Sequence, residues 1–239
     1  MTSSDRVLVV EHEHEAGPEM FQEWLTVAGV EVDLWRPYAG EAVPKYGDHG
    51  GLIVLGGSMG ASDDETAPWL AQLKAMLAGA VTQELPVLGI CLGAQLLALA
   101  CGGRVEPSHS GGELGLGKIE LNGESRRDRL FTGISSPVEA AQWHHDDITE
   151  LPRGAVLLGS SPRCEIQAYR LGDRAWGVQF HPEVSAGTLE AWAATEGELP
   201  VSATARMEIA ISEVKRAESR LFECWQGFAQ RFAHLVQQG

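Results

Sequence analysis

The strongest constraint on this chain is an alternation. Short apolar runs at 7–10, 30–35, 52–55 and 86–90 are separated by stretches whose apolar residues recur at helical spacing. Strands that alternate with helices must lie parallel, because each helix carries the chain back to the starting edge of the sheet. Gly17-Pro18 opens one helix, with Met20, Phe21, Trp24, Leu25 and Ala28 on one face and Gly29 just past its end. Pro68 opens a second, carrying Trp69, Leu73, Met76 and Leu77. A third runs from Leu92 to about Cys101 and stops at Gly102-Gly103. The predicted fold is α/β: a mostly parallel sheet with helices on both faces.

From Gly111 the texture changes to short runs at 118–121, 138–143, 156–159, 166–170 and 175–180, read as sheet extensions and hairpins. Neither an internal repeat nor a low-complexity linker is visible. After residue 186 the pattern turns helical again. Met207, Ile211, Val214, Ala217, Leu221, Trp225, Phe228, Phe232 and Leu235 follow steps of three and four, an apolar stripe along a helix or helix pair. The stripe is expected to dock on the main domain, with a partner surface as the alternative. The division is 1–195 for that domain and 196–239 for a helical C-terminal extension packed on it.

With 239 residues, 44% of them hydrophobic and 21% charged, the chain can bury one large core or two small ones, which excludes a disordered tail. Lys plus Arg number 18 against 33 Asp plus Glu, a formal charge of −15. Such a surface repels polyanions, so neither nucleic acid nor an anionic membrane is an expected partner. The amino end has four apolar residues before an acidic cluster and carries no recognisable export signal. The uncharged stretch 85–103 is broken by Pro86, Gly89, Gly93 and Gln95, so it reads as buried core and not as a membrane span. Cysteines 91, 101, 164 and 224 form no CxxC pair. Reduced thiols in a cytoplasm fit best.

Residues 89–93 read G-x-C-x-G where a buried strand gives way to a helix, a nucleophile elbow with Cys91 in place of serine. A sulfur there sits over the unpaired N–H groups of a helix start, whose partial positive charge suits an anion. Residues 177–184, GVQFHPEV, supply a base at the end of another apolar strand. His181 and Glu183 are two apart, so in extended backbone both side chains point to one side and the carboxylate can orient the ring. The loop GGSMG at 56–60 follows a third strand. Its N–H groups can face a developing oxyanion, with the Leu92 N–H as second donor, unless it is a plain turn.

GICLGAQ around Cys91, GVQFHPE around His181 and LGGSMG before both resemble, in that order, the class I or triad glutamine amidotransferases, with the texture of the glutaminase domain of GMP synthase. The resemblance covers roughly residues 5–195. It implies a flavodoxin-like core and a catalytic triad of Cys91, His181 and Glu183 that forms and hydrolyses a γ-glutamyl thioester and releases ammonia. It also implies Gly57 and Leu92 as oxyanion donors and Gln95 as a substrate-amide contact. A glutamine-pocket wall is implied at QWHHDD, residues 142–147, with Trp143, His144 and His145, the last at the family's usual histidine. Ser58 stands where the family often has proline, and the helical tail lies outside the resemblance.

No cofactor and no metal is expected. The segment EHEHE at 11–15 reads as a solvated loop at the crevice rim, SDDE at 62–65 as a helix cap, and 111–117 lacks the setting of a dinucleotide site. Three functions compete. The first is a glutaminase that acts on glutamine and hands ammonia to a synthetase on another chain. The second is a stand-alone hydrolase of γ-glutamyl peptides or amides. The third is an inactive regulatory or binding module of the same fold, against which the intact Cys91, His181 and Glu183 argue.

Overall fold

The computed structural model describes residues 5–44, 46–197 and 200–238. The first four residues of the segment read for an export signal lie outside them, as do 198–199 in the expected extension. The first half of the chain runs β1 (Arg6–Val10), α1 (Glu19–Val27), β2 (Glu31–Trp35), β3 (Gly51–Val54), α2 (Trp69–Thr82), β4 (Val87–Ile90) and α3 (Leu92–Ala100). Then come β5 (Arg104–Pro107), β6 (Glu113–Leu121), β7 (Val138–His144), β8 (Asp146–Glu150), β9 (Val156–Ser160), β10 (Ala168–Leu171) and β11 (Ala175–Val178). Two helices close it, α4 (Ala186–Thr195) and α5 (Val201–Gln237).

One sheet of nine strands has the order β2-β1-β3-β4-β11-β10-β9-β6-β7. From β2 to β11 every pairing is parallel. From β11 onward every pairing is antiparallel. The parallel half is buried on both faces, which is why β3 and β4 read as unbroken apolar runs. Alternate residues of β1 divide the core. Val7 and Val9 join α1, α4 and α5 on one face, while Leu8 and Val10 join α2 and α3 on the other. The expected layering, with helices over both faces, is the observed one.

Three details differ from the sequence reading. β6 begins at Glu113, not 118, because its first half pairs with β7 from Glu113↔His144 to Ile119↔Val138 although it is rich in glycine. The small sheet of β5 with β8 has polar sequences that carry no strand signal. SDDE does not cap α2, whose N-cap is Pro68 without a side-chain bond. Instead Asp63 accepts the Gly60 N–H at 2.7 Å and Asp64 pairs with Lys74 at 2.7 Å, so these carboxylates brace the preceding loop.

The apolar stripe after residue 200 lies on one unbroken helix of 37 residues, about 55 Å long at 1.5 Å per residue. Its aromatic side chains fill the core. Trp225 lies against Phe180 with ring centroids 4.9 Å apart and planes tilted by 37°, and Phe228 meets Phe131 edge-on at 5.2 Å. The Trp225 indole N–H donates to the Glu139 carbonyl at 3.1 Å, so the buried ring carries no unpaired polar group.

Candidate active site

β1, β3, β4 and β11 are parallel neighbours, so the segments leaving them emerge at one edge of the sheet. These segments begin at Glu11, Leu55, Cys91 and Gln179, and each carries a piece of the site. Cys91 has φ 50° and ψ −109°, a backbone conformation that side chains larger than hydrogen rarely adopt. The flanking glycines permit it. A Cβ on Gly93 would lie 2.0 Å from the Val54 carbonyl oxygen, and one on Gly89 would lie 2.5 Å from the Gly93 backbone. The elbow therefore fits only because strand, turn and helix touch backbone to backbone.

The Cys91 N–H donates to the Val178 carbonyl at 2.8 Å, and the His181 N–H to the Ala141 carbonyl at 2.8 Å, which ties the two side chains' backbones to neighbouring strands. His181 is buried with its Nδ1 2.7 Å from Glu183 Oε1. Its other nitrogen is left to face the thiol. Burial alone would disfavour the imidazolium, but Glu183 and Cys91 outweigh it and raise the pKa of His181. Glu183 Oε2 is buried and has no hydrogen-bond partner, so the imidazolium is the carboxylate's principal neutralising group. Gly56 supplies the room: a Cβ there would stand 2.9 Å from His181 Cε1 and 3.6 Å from Cys91 Cβ.

The thiol donates to the Trp143 carbonyl and accepts from Gln179 Nε2, each at 3.7 Å. Gln179 Oε1 in turn accepts from Gln95 Nε2 at 3.2 Å, and Gln95 Nε2 also donates to the Asp146 carbonyl at 3.1 Å. With both amide hydrogens of Gln95 committed, its oxygen is the group it can offer a ligand. Sequence reasoning missed Gln179, although it stands two residues before His181 and the same alternation that paired His181 with Glu183 puts it on their side. It named Gly56 only as part of the 56–60 loop, without its approach to His181, and missed Trp192, whose ring lies 4.9 Å from that of His181 and 5.7 Å from that of Trp143.

Two cavities meet at Cys91. One, about 350 Å³, is lined by Gly57, Leu92, Gln95, Trp143, His144 and His145 among others. The other, about 320 Å³, includes Gly57, Cys91, Trp143, His181 and Trp192. All the candidate site residues named from the sequence except Glu183, which lies behind His181, therefore face one cavity or the other. His144 and His145 differ sharply. His145 is exposed at the rim, whereas His144 is buried with Nδ1 3.3 Å from Asp147 and Nε2 3.4 Å from Glu113.

Burial works against a charged His144, but the Asp147 and Glu113 carboxylates beside its two nitrogens prevail and its pKa is raised to about 9. An unfolded histidine titrates near 6.5. The stabilisation from this cation is therefore fully present below pH 6.5 and is lost as pH rises through about 9. The stability difference between wild type and His144→Gln, measured by denaturant unfolding, should narrow across that window. A difference that grows with pH would show that the buried ring is neutral.

Glu113, His144 and Cys164 also place donor atoms within 4.8 Å of one another, so they are the residues whose spacing could admit a cation. EHEHE at 11–15 is not uniformly solvated as expected. Glu11 is buried because Arg36 Nε and the Tyr38 hydroxyl donate to it at 3.0 and 2.7 Å. His12 is buried too, accepts from Trp69 Nε1 at 3.1 Å, and is held neutral by burial with a pKa of about 4. Glu13 reaches the glycine loop, accepting from Ser58 N at 2.9 Å and Ser58 Oγ at 2.6 Å.

A thiol beside a carboxylate-oriented imidazole, at the mouth of a parallel sheet, can attack an amide carbonyl and protonate the nitrogen that leaves. The family model for "Glutamine amidotransferase class-I" matches residues 19–194. The chain belongs to the class I glutamine amidotransferases. This amidotransferase-family chain is 35% identical over 133 residues to the GMP synthase [glutamine-hydrolyzing] of Bacteroides fragilis, a match that covers 55% of the chain and 24% of that enzyme. It is 30% identical over 161 residues to gamma-glutamyl peptidase 3 of Arabidopsis thaliana, covering 65% of the chain and 64% of the peptidase. The chain thus spans about a quarter of the one relative and just under two thirds of the other. Among solved structures it superposes on a glutamine amidotransferase from Thermotoga maritima with a TM-score of 0.85 at 25% identity, covering 98% of both chains. Among the described residues, no helix is long and apolar enough to cross a membrane.

Proposed function

We propose that this amidotransferase-family chain is a glutaminase that hydrolyses the side-chain amide of glutamine through Cys91, His181 and Glu183 and delivers ammonia to a separate acceptor enzyme. Cys91 is the nucleophile and His181 its base, then the acid for the leaving nitrogen. Glu183 holds the ring. The observation that carries the reading is His181 held 2.7 Å from Glu183 in a cavity wall it shares with Cys91. The N–H groups of Gly57 and Leu92 are the proposed oxyanion donors. Gln95, Trp143, His144 and His145 form the wall proposed for the glutamyl portion. Residues 1–195 are the proposed catalytic domain and 196–239 its helical extension. Support for this comes from the family match ending at 194, while α5 shares the apolar cluster of α1. Four free thiols favour a cytoplasmic setting.

A second reading, a stand-alone hydrolase of γ-glutamyl peptides or amides, is favoured by the room on the His181 side of the thiol. Turnover of glutamine, γ-glutamyl peptides and γ-glutamyl amines, measured with and without proteins purified alongside from native extract, separates the two. A partner-dependent rise in glutaminase rate supports delivery of ammonia. Conjugates outpacing glutamine without any partner would refute it. Because Glu183 acts through the ring, Glu183→Gln should lower kcat by about 10²–10⁴ and less than His181→Ala does. More activity in His181→Ala than in Glu183→Gln would reverse the assigned roles.

A further inference from the structure

The two cavities beside Cys91 are chemically unlike. The one containing Gln95, His144 and His145 suits the glutamyl half of a substrate. The other contains His181 and lacks Gln95. In amide cleavage the imidazolium must protonate the departing nitrogen, so the leaving group has to lie on the His181 side. Departing ammonia needs about the room of one water molecule, roughly 30 Å³. The space there is about 320 Å³.

Apart from the His181 imidazolium, which Glu183 neutralises from behind, the charged groups of its walls are acidic. Glu13, Glu15 and Glu196 line it, the last shared with the first cavity, and among the described residues neither lysine nor arginine does. Glu13 is held in place by its two bonds from Ser58, and both of its oxygens keep a second lone pair. Trp192 is fixed by its indole N–H, which donates to the Glu15 carbonyl at 2.7 Å, and by its ring contacts with His181 and Trp143. The arrangement is a set of carboxylates around two fixed aromatic rings, which attracts an ammonium through both charge and ring quadrupole.

We propose that this cavity is a leaving-group subsite for amines that bear a second positive charge, which makes γ-glutamyl conjugates of diamines and longer polycationic amines substrates of the Cys91 centre. The inference rests on the proposed roles of Cys91 and His181 and takes up the second reading above. The Cys91 sulfur bonds to the γ-carbonyl carbon, and the carbon–nitrogen bond breaks as the His181 proton passes to nitrogen. The diamine then leaves with its distal ammonium between the carboxylates. Water, deprotonated by His181, cleaves the thioester, releasing glutamate and restoring the thiol. No oxidant or cofactor is consumed.

The test uses three probes that share a four-carbon chain, with the purified protein: the γ-glutamyl amides of 1,4-diaminobutane, of butylamine and of 4-aminobutyrate. Their distal ends are cationic, neutral and anionic. The cationic probe should exceed the neutral one in kcat/KM by about tenfold or more, and the anionic probe should be the poorest. Glu15→Gln should shrink the cation-to-neutral ratio several-fold, as should 0.5 M salt, since the group is exposed. Thermal melting of Glu15→Gln guards against a folding defect, and Glu196→Gln provides a second, independent charge removal. Cys91-dependent hydrolysis with no preference among the probes, or with the anionic one preferred, would overturn the subsite while leaving the triad standing. If neither glutamine nor any probe is hydrolysed, the catalytic reading itself fails, a result distinct from loss of charge preference.

Discussion

Cys91→Ser is expected to abolish turnover of glutamine and of γ-glutamyl amides, with a fall in kcat of at least about 10³-fold. The serine side chain is similar in size to cysteine and fits the same turn, where φ is 50° and both flanking glycines are already packed against backbone. Folding should therefore survive while chemistry does not, because a hydroxyl is far less acidic than a thiol and a poor partner for this imidazole. An unchanged melting temperature establishes the first half. A glutamine-like electrophile followed by peptide mass analysis should label Cys91 and leave Cys101, Cys164 and Cys224 unmodified. Cys164 is buried with its thiol pKa pushed above the range in which it reacts, and burial also raises those of Cys101 and Cys224. Full activity in Cys91→Ser, or labelling at another cysteine, would remove Cys91 from the mechanism.

The second large effect concerns stability. Trp225→Ala should destabilise the fold by about 3–5 kcal/mol, through lost burial and the cavity left beside Phe180 and Phe228. For a domain of this size that lowers Tm by roughly 10 °C. Deleting everything after Pro200 removes Trp225, Phe228 and Phe232 together and strips one face of the sheet. The truncated chain should be insoluble or lack a cooperative melting transition. A soluble, active fragment with unchanged Tm would show that α5 is an appendage and not part of the core.

Much of this protein is legible in its sequence because the decisive geometry is local. Pro86 to Gly93 encodes a buried strand, a turn that only flanking glycines allow and a helix start, so the elbow at Cys91 follows from eight consecutive residues. The pairing of His181 with Glu183 follows from a two-residue repeat along extended backbone. The parallel sheet is announced by strand and helix alternation in the first hundred residues, and the apolar stripe from Met207 to Leu235 calls for a covered helix.

Tertiary structure alone decided what depends on chain segments distant in sequence. No local signal puts Gly56 against the ring of His181, Glu13 against Ser58 or Trp192 beside the thiol's cavity, because those contacts exist only once β1, β3, β4 and β11 lie side by side and release their loops at one edge. The burial of Glu11 and His12 within an acidic run was hidden for the same reason: their partners Arg36, Tyr38 and Trp69 arrive from other elements. The stripe on α5 reports that it is covered and not by what, since hydrophobic attraction is non-directional and many surfaces satisfy it. Charge behaves likewise. The sequence sums to −15, but only the fold brings Glu196 to the cavity that Glu13 and Glu15 line beside Cys91 and His181. Net charge is a property of composition, whereas a field at one atom depends on which charges folding brings within a few ångströms of it.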